Sequence, residues 1–118
     1  MQAEFKPLVV WLILNGKAED ALVLLAENYG VTVPRLKVGL PKGRKKRVFG
    51  CYTPRNATIS VFNSDVLGNP FVILHEFYHH LRTRLVDKQH KGVENNADKF
   101  AAEFLQAYET AKRRQGSS

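Results

Sequence analysis

A single cysteine, Cys51, stands among 118 residues, so no internal disulfide can form and a disulfide-built secreted scaffold is excluded. Long apolar runs are missing too. The most apolar stretch, LVVWLIL at residues 8–14, falls far short of the roughly 20 residues that span a bilayer. It follows Glu4 and Pro7 and leads into Asn15-Gly16-Lys17 rather than a small-residue cleavage site, so it is not read as a secretion signal. No membrane partner is expected, and a cytoplasmic protein is the default. Acidic residues are scarce, 11 against 18 Lys and Arg, which leaves a net charge of +7. Most of the excess lies in Lys42, Arg44, Lys45, Lys46 and Arg47, and in Lys112, Arg113 and Arg114. Such runs bind nucleic acid or steer acidic partners; their plainer reading is a solvated hairpin loop and a frayed C-terminus. No aromatic residue interleaves with the first cluster, so a base-stacking surface is not expected there.

What remains is ordinary for a globular protein, 44% hydrophobic and 25% charged residues. This length holds one domain, residues 1–118, of α+β class. Pro7 and Gly16 bracket a helix over 7–15, and the stripe of Ala18, Ala21, Leu22, Leu25 and Tyr29 predicts a second over 17–29. Residues 31–38, 47–53 and 57–62 carry strand composition, and Pro54-Arg55-Asn56 joins the last two as a hairpin in a small antiparallel sheet. Ala57, Ile59 and Val61 alternate with Thr58, Ser60 and Phe62. Asn69-Pro70 marks a capped helix start, and a last helix is expected from Val93 to Lys112.

The capped helix carries HEFYHH at residues 75–80. Within it, His75 and His79 are four apart and share a helix face, so both imidazoles can reach one metal ion. Glu76, one step round, reaches a water on that metal without being a ligand. Zinc catalysis needs such a set, with one coordination position open and a carboxylate base beside it. Phe71, Leu74, Tyr78, Leu81 and Leu85 form an adjacent apolar stripe that buries one side of the helix. The alternative is a pair of solvated surface histidines.

A third ligand must lie downstream. The metzincin position is occupied by Leu85, with Arg82 where that family has glycine, so that arrangement fails. His90, in a predicted turn, and Glu94, at the head of the last helix, are the candidates. Glu94 shares a face with Ala97, Ala101, Leu105 and Tyr108. That face packs inward, so Glu94 fits best: its carboxylate points into a largely apolar interface, where a metal ion compensates the charge. Asp98, one turn later, could accept a hydrogen bond from the free nitrogen of a ligating histidine.

HEFYH followed by Glu94-x-x-Ala97-Asp98 resembles the gluzincin signature, and in size the chain is similar to the single-domain minigluzincins. The resemblance implies a minimal zincin-like domain of N-terminal helices, sheet, motif helix and C-terminal glutamate helix. It implies one zinc ion held by His75, His79 and Glu94, Glu76 as general base, and Asp98 orienting a ligand histidine. The activity implied is hydrolysis of a peptide or protein substrate by a zinc metalloendopeptidase. The 14 residues between His79 and Glu94 are fewer than in thermolysin-like members, which demands a tight turn at 88–92 and leaves His90 a rival ligand.

Candidate donors for the oxyanion are His80, His90, Tyr52, Tyr78 and Tyr108, with His90 preferred and Tyr78 assigned to the core. An extended substrate would pair with an exposed strand edge supplied by 47–53 or 57–62, with 57–62 preferred because it directly precedes the motif helix. Cys51 is read as a small buried strand residue, with latent-state zinc ligation as the alternative. The minigluzincin resemblance also implies latency, with the segment after Tyr108 folding back over the cleft as one route. Two other functions fit parts of the chain: an SprT-like protease using His90 on nucleic-acid-bound proteins, and a non-catalytic binding protein that presents the basic loop at 42–47 on a zincin fold.

Overall fold

The computed structural model describes residues 4–42, 48–84 and 93–116. The order is α1 (Phe5–Leu14), α2 (Ala18–Tyr29), β1 (Arg35–Val38), β2 (Gly50–Thr53), β3 (Thr58–Val61), α3 (Pro70–Thr83) and α4 (Val93–Gly116). Among the described residues, four α-helices and a three-stranded sheet make an α+β domain. No described helix is long and apolar enough to cross a membrane.

Local chemistry explains the helix boundaries. In α1, Pro7 occupies the first turn, where its missing N–H has no intrahelical partner to lose. The helix ends where Gly16 takes a φ of +77°, which lets Lys17 N–H reach the Leu12 carbonyl at 2.8 Å. Gly30 closes α2 in the same way, with Val31 N–H on the Ala26 carbonyl at 3.0 Å. At the start of α3 the Asn69 side chain accepts the Val72 N–H at 3.3 Å, and Pro70 opens the helix.

The sheet order is β1-β3-β2, and the sheet is mixed. β2 and β3 form the expected antiparallel hairpin across a 3-10 turn at Pro54–Asn56, but β1 pairs with β3 in parallel. This corrects the antiparallel sheet expected from the sequence. All four residues of β3 are buried, Thr58 and Ser60 included, so it behaves as a central strand with both edges paired. An extended substrate therefore cannot add to 57–62. The edge near α3 is β2.

One core joins the layers: Val9, Val10 and Ile13 of α1, Leu22 and Leu25 of α2, Ile59 and Val61 of β3, and Ala101 and Phe104 of α4. From α3 it takes Ile73, Leu74, Phe77 and Leu81. Phe77 is fully buried and stacks on Phe100 of α4, whereas Phe71, counted in the predicted stripe, is 38% exposed. Ala97 and Ala101 are fully buried where α4 crosses α3, so small side chains let the two backbones approach. That crossing sets the first turn of α4 opposite the histidines of α3.

Candidate metal centre

His75 and His79 project from the same face of α3, with ring centroids 5.2 Å apart. Glu94 reaches both: its Oε1 lies 3.0 Å from His75 Nε2, and its Oε2 lies 3.0 Å from His79 Nε2. One ligand atom from each of the three residues falls within 4.8 Å of the others. Behind them, Asp98 Oδ1 is 2.9 Å from His75 Nδ1. The residues predicted for the site are thus brought together from two helices, apart from His90, which lies outside the described residues. So do Leu85, the turn at 88–92, and Arg44, Lys45, Lys46 and Arg47 of the basic loop. Lys42 is exposed.

Glu94 does not enter the apolar interface expected from the sequence: its side chain is 72% exposed, because it occupies the first turn of α4, beyond the buried Ala97. Burial therefore does not call for a compensating cation at that residue; convergence does, with Glu94 against Nε2 of both histidines and Asp98 against Nδ1 of His75. Burial pushes the His79 imidazole below its ordinary pKa, with Glu94 pulling the other way and His75 and Arg82 adding to the depression. A divalent ion held by His75, His79 and Glu94 would leave His75 Nδ1–H free to donate to Asp98. Two imidazoles and one carboxylate are a donor set suited to zinc, so the residues present fit the ion.

Glu76 lies on the sheet side of α3 and is buried, 8% exposed. With His75, His79, Glu94 and Arg82 it lines a cavity of about 330 Å³ whose other wall is β2, at Gly50 to Tyr52. Gly50 makes this approach possible. A Cβ there would stand 2.7 Å from Val72 Cγ1 and 3.5 Å from Glu76 Cγ.

The candidate oxyanion donors fare less well. His80 is fully buried, with Nε2 2.7 Å from the Thr32 carbonyl and Nδ1 2.7 Å from Tyr52 Oη. A carbonyl only accepts, so Nε2 carries the proton and Tyr52 O–H donates to Nδ1. Both groups are thereby committed to a strut joining β2, α3 and the loop after α2. Tyr78 packs in the interior against Phe100, as predicted, and Tyr108 lies near the far end of α4 against Lys112. The segment after Tyr108 continues α4 to Gly116 and lines a groove with α1, rather than folding over the cleft. Cys51 is buried at the cleft wall and is not one of the three residues whose ligand atoms converge.

Sequence reasoning missed Arg82 as a cleft residue. Its signal was present: it stands three residues after His79 and seven after His75, on the same helix face. The His80 strut had no such signal, since its partners are 28 and 48 residues distant in sequence. No protein-family model matches the chain, and no curated protein or solved structure matches it, so the nature of this site rests on its own residues.

Proposed function

We propose that the chain is a zinc-dependent peptidase of gluzincin type, with a zincin-like fold, acting on peptide or protein substrates. The observation that carries this reading is the convergence of His75, His79 and Glu94 beside a cleft that Glu76 also lines. Unlike Asp98, which sits behind His75, Glu76 lines the cleft itself, where a general base beside an open coordination position belongs.

His75, His79 and Glu94 would hold the ion, which when bound supplies a Lewis acid and lowers the pKa of water to about 7. Glu76 holds the proton in transit between water and the leaving amine. Asp98 keeps His75 turned with Nε2 toward the cleft. Arg82 provides positive charge at the same wall, where oxygen of the substrate gains negative charge. β2 is the sheet edge beside the cleft, so an extended peptide pairs with Gly50–Thr53 through its backbone.

The test is casein hydrolysis by zinc-loaded protein beside Glu76→Gln. The variant should retain zinc and lose at least about 100-fold in rate. Equal rates in clean preparations would mean that this site does not perform the hydrolysis.

A further inference from the structure

Only Lys6 is charged in α1, FKPLVVWLIL, so the helix is apolar nearly all round, a composition that belongs to a covered helix. Val9, Val10 and Ile13 are covered by the core. The opposite arc is not: Leu8, Trp11 and Leu14, spaced three apart, are 45%, 44% and 46% exposed. Alongside runs a groove of about 780 Å³ between α1 and the C-terminal part of α4, reaching Leu24 of α2. Phe5, Leu8, Trp11 and Tyr108 form its apolar lining.

The rim is basic. Lys17 Nζ sits 5.6 Å from the Trp11 ring centroid, Lys112 Nζ sits 5.9 Å from that of Tyr108, and Arg114 lines the same side. Glu4 is the one acidic residue among the groove's lining residues. Shape and charge together select an occupant. A concave groove receives a rod, whereas a bilayer surface is flat. A second copy would bring +7 against +7.

We propose that the α1–α4 groove docks an acidic amphipathic helix of a partner protein. Its large apolar side chains, at i, i+3 or i+4 and i+7, sit against Leu8, Trp11 and Tyr108. Its carboxylates face Lys17, Lys112 and Arg114. Along α4 the nearest groove residue, Tyr108, lies about 21 Å from Glu94, so partner and substrate can be bound together. This inference is independent of the zinc reading.

Trp11 is the only tryptophan, so its emission reports on the groove alone. The experiment selects binders to the full chain from a displayed library of random peptides of about 3–4 helical turns. Binders to Trp11→Glu are removed in parallel. Enriched peptides should carry helically spaced apolar anchors with flanking Asp or Glu, and should shift Trp11 emission to the blue. Their affinity should fall with added salt, and by about 30-fold or more in Leu8→Glu, a second exposed position whose circular dichroism serves as the folding control. Failure to enrich any Trp11-dependent peptide overturns the proposal, as does enrichment of basic ones. A blue shift produced by phosphatidylglycerol vesicles and by no peptide overturns it in favour of a membrane surface. A blue shift that tracks protein concentration, with dimers in sedimentation, overturns it in favour of self-association.

Discussion

Asp98 accepts from His75 Nδ1 at 2.9 Å, across two helices and 23 residues of sequence. That contact fixes which nitrogen of His75 is left for Glu94 and the cleft. Asp98→Ala should keep the fold, since the side chain is half exposed, and weaken zinc binding by about 10- to 100-fold. Competition with a chromophoric chelator measures it; unchanged affinity would remove Asp98 from the site.

Arg82 lines the cleft beside His79. Arg82→Ala should lower kcat/KM by about 100-fold while zinc content stays at the wild-type level, and Arg82→Lys should recover part of the loss. Steady-state hydrolysis of a fluorogenic peptide series, with metal analysis of each variant, checks it. Loss of zinc together with activity would make Arg82 structural instead.

Gly50 is required by packing rather than by backbone conformation. A methyl group there meets Val72 Cγ1 at 2.7 Å, closer than carbon atoms approach, then the Ser60 carbonyl at 3.3 Å and Glu76 Cγ at 3.5 Å. Gly50→Ala should cost about 1–3 kcal/mol in chemical denaturation and reduce turnover by displacing Glu76. Full stability with full activity would show that β2 does not press on α3 as described.

His80 couples stability to pH. Burial pushes its pKa below the ordinary histidine value, against the opposing pull of the Thr32 carbonyl. The folded state therefore favours the neutral ring, and this contribution is complete above the unfolded pKa of about 6.5. It is lost as pH falls from there through the depressed folded value. His80→Leu leaves Tyr52 and Thr32 without their partner, at a cost of about 1–3 kcal/mol at pH 8. Its melting temperature should approach that of metal-free wild type as pH drops toward 5. A gap independent of pH would contradict the neutral-ring assignment.

How much of this was legible in the sequence varies by element. The ends of α1, α2 and α3 follow from Gly16, Gly30 and Asn69-Pro70, because capping is local chemistry. The hairpin of β2 and β3 was legible for the same reason. The parallel pairing of β1 was not, since nothing within Arg35–Val38 states a direction. That pairing places β3 between two strands, so the sheet edge beside the cleft is β2 rather than residues 57–62. In the site, spacing brought out His75, Glu76 and His79, and the face shared with Ala97 and Ala101 brought out Glu94. The degree of exposure of Glu94 depends on where α4 begins relative to the α3 crossing, which periodicity does not encode. The Tyr52–His80–Thr32 strut joins three separate elements, so it becomes visible only once they are assembled.

The central claim is a zinc ion held by two imidazoles and one carboxylate. Zinc-edge X-ray absorption on the purified protein, with metal content, tests it most directly. The expected result is one zinc per chain, coordinated by nitrogen and oxygen with two imidazoles, and loss of the ion in His75→Ala and Glu94→Ala. A sulfur scatterer from Cys51, a third imidazole with zinc retained in Glu94→Ala, or no stoichiometric zinc would contradict it.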